Sequence, residues 1–193
     1  MPRINGVEKP QGLLQRIAFW FSKRYLGRVV TPLRVMARHP RVLAAYAPLE
    51  RKLLAANTLP EELKHLVVLR VAQLIECPFC VDIGTSLNLQ AGASAEKIKA
   101  LPVWQQSPLF SEAERLCLEF AEAMTRLPLQ IDEANFAQLR ARFSDVQIIE
   151  LAEFVALENK RSRFNHALGI KSDGFTDGAL CYIPPAHAVQ AAA

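Results

Sequence analysis

Apolar side chains recur along this chain at intervals of three and four residues, and no segment alternates with the two-residue period of a strand. The pattern predicts an all-α protein. Residues 11–26 gather Leu13, Leu14, Ile17, Phe21 and Tyr25 on one side of a helix, with Arg16, Lys23 and Arg24 mostly elsewhere. Thr31-Pro32 opens a second helix. His39-Pro40 breaks it and starts a third over 41–56, with Leu43, Tyr46, Leu49, Leu53 and Leu54 expected inward. Leu59-Pro60-Glu61-Glu62 opens the next, because proline suits the first turn and acids suit the positive end of the helix dipole. That helix runs to about Ile75 and is apolar nearly all round, which marks it as central. A helix over 78–90 stops at Gly92, residues 94–100 form a short one, and 102–108 form a connector. The capping box at Ser111 opens a helix to Arg126, Asp132 caps a shorter one to Arg142, and Ser144 caps a long one that Gly169 ends. Three regions follow: an amphipathic helical arm (1–30), a helical domain (31–172) and an irregular tail (173–193).

Composition narrows the class. Of 193 residues, 51% are hydrophobic and 22% charged, which suits a globular core and not a disordered chain. No run of eighteen apolar residues is present, and no apolar signal core opens the chain, so a cytoplasmic location is expected. The net charge of +4 conceals an asymmetry: residues 1–70 hold 13 Lys or Arg against 4 Asp or Glu, so the remainder is acidic. The reading favoured is that the basic front docks on the acidic back, in the same chain or a neighbouring copy. No nucleic-acid motif is present, and neither a nucleic-acid partner nor a membrane contact is expected.

The chemistry concentrates at Cys77-Pro78-Phe79-Cys80. Proline fits the first helical position, which puts Cys77 at the N-cap and Cys80 at the third helical position. Unpaired N–H groups and the helix dipole favour thiolate there. Two intervening residues let the sulfurs close into a disulfide, so one thiolate can attack a peroxide or disulfide and the other resolve the product. A zinc site wants two further ligands, whereas Cys117 and Cys181 stand alone and the four His are scattered. Cys117, among Leu116, Leu118 and Phe120, reads as core. No metal or other cofactor is expected.

The stretch from Leu59 to Leu74, leading into Glu76-Cys77-Pro78-Phe79-Cys80-Val81-Asp82, resembles the core of the AhpD-like carboxymuconolactone decarboxylase family. Residues 110–115 and 159–170 extend the likeness over roughly 30–172. The resemblance implies an all-helical fold that assembles as a homotrimer or hexamer. It implies an alkyl hydroperoxidase or disulfide reductase, with Cys80 attacking and Cys77 resolving, an organic hydroperoxide or disulfide as substrate, and a thiol reductant as partner. Two positions depart from the redox members. They carry a Glu twelve residues before the first Cys, here His65, and a His four residues after the second, here Gly84. In an antiparallel hairpin turning near Glu76, position 65 lies across from the mid-eighties.

Acid–base candidates are therefore His65, which can move a proton near neutral pH or sit satisfied in the core, and, in supporting roles, Glu76 and Asp82. Asp82 equally suits helix-start stabilisation. The run Arg161–Asn165 before His166 reads first as structural or intersubunit, second as a wall of the site. Three functions compete: the thiol-dependent peroxidase or disulfide reductase; a lyase or isomerase like the lactone decarboxylases, using His65 and a carboxylate; and a non-catalytic oligomer or membrane-associated scaffold, suggested by Trp20 and Phe21 beside Lys23 and Arg24.

Overall fold

The computed structural model describes residues 1–176, and among them the chain is helical with no strand. The helices are α1 (Leu13–Leu26), α2 (Thr31–Met36), α3 (Pro40–Leu54), α4 (Glu61–Leu74), α5 (Pro78–Gln90), α6 (Ala95–Ala100), α7 (Glu112–Thr125), α8 (Glu133–Arg142) and α9 (Asp145–Ala167). None among the described residues is long and apolar enough to cross a membrane.

Helix α4 is the axis of the fold, packed by α5, α7 and α9. Its Leu66, Val67, Leu69, Val71 and Ala72 are at most 2% exposed. Each such Leu or Val contributes about 1.5–3 kcal/mol by leaving water. The charges on α4 find partners on the later helices: Lys64 pairs with Glu150 at 3.0 Å and Arg70 with Glu122 at 2.5 Å. To this extent the basic front does dock on the acidic back of the same chain.

Helices α4 and α5 form the expected antiparallel hairpin. Gly84 faces Leu69 so closely that a Cβ on it would lie 3.3 Å from Leu69 Cδ1. One turn further, Asn88 Nδ2 donates to the His65 carbonyl at 2.9 Å. Gly84 is thus a close-approach position, and any larger side chain there needs Leu69 to shift.

Two local expectations, on α3 and on the connector after α6, are corrected, and α1 docks through a face the pattern did not single out. The side of α1 that carries Leu13, Ile17 and Tyr25 is exposed, and Trp20 with it. The docked side carries Ala18, Phe19, Gln15 and Ser22, whose polar atoms are satisfied by Ala37 and Arg28 carbonyls. Ala18 and Phe19 join Leu43 of α3 in a small second core, with Leu14 packed against it. On α3, Leu43 is fully buried but Leu49 and Leu54 are exposed. The connector after α6 is a 3-10 stretch, Leu101–Gln106, because Leu101 and Trp104 are buried and draw it onto the core.

Candidate active site

The turn between α4 and α5 shapes the dithiol. Cys77 N–H donates to the Ala72 carbonyl and Glu76 N–H to that of Gln73, both at 3.1 Å, a Schellman end to α4. Glu76 takes the left-handed position with φ 56°, where glycine is usual. Glycines hold the same position after α5 and α9, at Gly92 and Gly169. The turn delivers Cys77 as N-cap of α5 with Pro78 next, as the spacing predicts. The Cys77 sulfur accepts from Cys80 N–H at 3.3 Å and lies 2.7 Å from the Cys80 sulfur. Cys77 is 0% and Cys80 4% exposed, so Cys80 is the edge of the pair nearer to solvent.

The other wall comes from α9. Glu158, Ser162 and Asn165 follow Ile148, Leu151 and Val155 on the same buried stripe, so the apolar face of α9 turns polar where it meets the sulfurs. Asn165 Nδ2 donates to Cys80 Sγ at 3.2 Å. The Glu158 charge acts on both thiols and raises them, Ser162 acts on both in the opposite sense, and Ser162 Oγ donates to Glu158 Oε1 at 2.7 Å. Arg161 Nη1 stands 3.5 Å from Glu158 Oε2 and is itself held by Glu50 and Tyr46 of α3.

These contacts split the two thiols. The Cys77 pKa is lowered by the hydrogen bond from Cys80 and, against burial, by Cys80 N–H. Burial raises that of Cys80, and its bond to Cys77 and the Glu158 charge raise it further. Of the two thiols, Cys77 is therefore the one that gives up its proton first, and Cys80 the one that keeps it. Burial also raises Glu158, with Arg161 and Ser162 opposing, so the protonated carboxyl is favoured relative to one in water.

The remaining candidates lie apart from the sulfurs. His65 sits at the level of Asn88, eight residues and roughly 12 Å along α5 from Cys80. Its Nε2 pairs with Glu61 at 3.3 Å, and burial lowers its pKa. Glu76 adjoins Cys77 in sequence and serves the turn. Asp82 is fully buried and receives Ser172 Oγ, Thr176 Oγ1 and the N–H groups of Phe175 and Thr176. Burial raises its pKa, but these donors together hold it below the usual carboxylate value. Asp82 thereby pins the segment after α9, and Phe175 packs edge-on against Phe79 of the motif. Cys117 is core, its thiol pushed up to about 12 by burial. Cys181 lies outside the described residues. No three His, Cys, Asp or Glu side chains among the described residues converge as metal ligands.

Sequence reasoning missed Glu158, and it gave a wall of the site only as the second reading of the run that holds Ser162. The signal was present: both sit where the core stripe of the longest helix should continue apolar.

The carboxymuconolactone decarboxylase family model matches residues 40–123, from α3 to α7 with the dithiol inside. The uncharacterized protein YnjA of Escherichia coli K12 is 36% identical over 176 residues, covering 89% of this chain and 92% of its own. The chain belongs to the carboxymuconolactone decarboxylase family. Its fold is that of the AhpD-like members. The debrominase Bmp8 superposes with a TM-score of 0.82 at 22% identity, over 94% of this chain and 97% of that one. The alkylhydroperoxidase AhpD core of a peroxidase-related protein from Ralstonia eutropha does so with 0.76 at 17%, over 91% and 97%. The family match ends before α9, so the wall of Glu158, Ser162 and Asn165 is described from this chain's own geometry.

Proposed function

We propose that this protein is a thiol-dependent two-electron reductase that consumes an organic hydroperoxide through Cys80 and Cys77. The observation that carries the reading is the Cys80 sulfur itself. It lies 2.7 Å from a partner thiol, receives Asn165, and feels the charge of a buried carboxyl, Glu158. The Cys80 proton has two acceptors at hand, the Cys77 thiolate and Glu158. Once it leaves, Cys80 attacks the terminal peroxidic oxygen and becomes a sulfenic acid, while the alkoxide takes a proton from Glu158. Cys77 then attacks the Cys80 sulfur, water leaves, and a thiol reductant reopens the disulfide. Glu158 thus fills the acid–base role that His65 and Gly84 leave open. Small disulfides enter the same cycle as alternative electrophiles. Cytoplasmic location and a homo-oligomer accompany this reading.

The test is mass spectrometry after brief exposure to cumene hydroperoxide, with turnover measured alongside. Cys80→Ser should lose at least a hundredfold in rate, and Cys77→Ser should trap a sulfenic acid on Cys80. Undiminished hydroperoxide consumption by Cys80→Ser sinks the proposal. A cysteine-to-alanine variant of Bmp8 has been solved in complex with 2,3,4-tribromopyrrole, so a brominated pyrrole belongs in the same assay as a further electrophile.

A further inference from the structure

Asn165 is 3% exposed and uses only one end of its carboxamide. Nδ2 donates to Cys80 Sγ at 3.2 Å, whereas the buried Oδ1 has no hydrogen-bond partner. Buried acceptors are ordinarily paired, and one left open beside a reactive sulfur marks a place where a donor is to arrive. The neighbouring groups do not supply it: Ser162 Oγ donates to Glu158 instead.

We infer that Asn165 is the substrate-binding residue that selects hydroperoxides, its Oδ1 accepting the terminal O–H while its Nδ2 stabilises the attacking Cys80 thiolate. The inference rests on the peroxidase reading above and adds to it a basis for substrate choice. The atom that Cys80 attacks is the oxygen that carries the hydrogen. Both ends of one rigid amide thus address the two reacting atoms, sulfur and terminal oxygen. The S–O bond forms and the O–O bond breaks. Two electrons pass from sulfur to the peroxide, the hydrogen stays on the transferred oxygen, and the alkoxide takes the Glu158 proton. Oδ1 keeps the same O–H through to the sulfenic acid, which Cys77 then resolves with loss of water. A disulfide has no such hydrogen and gains only from Nδ2. A site built to bind an O–H discriminates against partners that lack one.

The test compares two electrophiles within each variant: cumene hydroperoxide and a small aromatic disulfide, in single-turnover reactions of the reduced protein. The ratio of the two rates is independent of how much of a variant is folded. In Asn165→Leu and Asn165→Ala both rates fall, and the ratio of hydroperoxide to disulfide rate should fall a further tenfold or so. An unchanged ratio in both variants overturns the inference and leaves the peroxidase reading standing. A wild-type protein that reduces the disulfide but consumes no hydroperoxide overturns both.

Discussion

At the scale of single residues, the site depends on two side chains in unfavourable settings. Glu76 holds a left-handed backbone that costs a non-glycine residue about 1–2 kcal/mol. Glu76→Gly should therefore raise stability by about 1 kcal/mol in urea unfolding, with the dithiol still closing under oxidant; a fall in stability would assign Glu76 a contact beyond the turn. Glu158 is a carboxyl in the core whose folded pKa is raised. The stability linked to such a group is complete below its unfolded value, about 4.3, and is lost as pH rises through the folded one. Glu158→Gln removes the loss. The variant should match wild type in melting temperature at about pH 4 and below, exceed it increasingly as pH rises above that, and turn over hydroperoxide about a hundredfold more slowly. A melting difference that does not grow with pH would show that Glu158 ionises freely.

At the scale of elements, the joins between helices do most to place the sulfurs. One join sets Cys77 at the N-cap of α5. Another is Asp82, which lies in the second turn of α5 and receives four donors from residues 172–176. With it, Arg28 stacks on Phe175 and Thr31 bonds to Asp173, so the segment is clasped from the opposite end of the chain. Because its folded pKa is lowered, Asp82 contributes stability above about pH 3.9, and that contribution is lost as pH falls through the folded value. Asp82→Asn replaces an anion by an amide and leaves buried N–H groups underpaired, which costs about 1–3 kcal/mol. Amide exchange at Phe175 and Thr176 should become fast while exchange in α4 scales only with global stability. Unchanged protection of those two amides would remove Asp82 from this role. The helix starts were readable because their signals are local: Pro60 before two acids, and capping residues at Ser111 and Ser144. The docked faces of α1 and α3 were less readable. There Ala18, Phe19 and satisfied polar groups of α1 meet Leu43 of α3 while other apolar side chains stay exposed, a choice that depends on the facing helix.

At the scale of the whole molecule, the uneven charge of the sequence becomes an arrangement around α4. The motif told where the thiols would be because an N-cap sulfur is a property of a few neighbouring residues. The α9 wall is some eighty residues away in sequence and needs the packing of α4, α5 and α9 before it means anything. That packing carries buried charge. Arg70 is 1% exposed, and its partner Glu122 also accepts from Trp104 Nε1 at 2.8 Å and pairs with Arg126. Removing one member of such a pair strands the other in a poor solvent, at about 3–5 kcal/mol, whereas replacing both by apolar side chains is often neutral. Glu122→Leu should thus take a large share of a domain's stability, and the double variant Arg70→Met/Glu122→Leu should recover most of it in urea unfolding. As a reference, Arg140→Ala breaks the exposed pair with Asp145 and should change stability by less than about 0.5 kcal/mol. If the single and double variants at the buried pair are equally unstable, the cost comes from the lost Trp104 and packing contacts. If the double variant recovers, the ion pair serves to fix how α4 meets α7, and with it the register that brings Cys80 against α9.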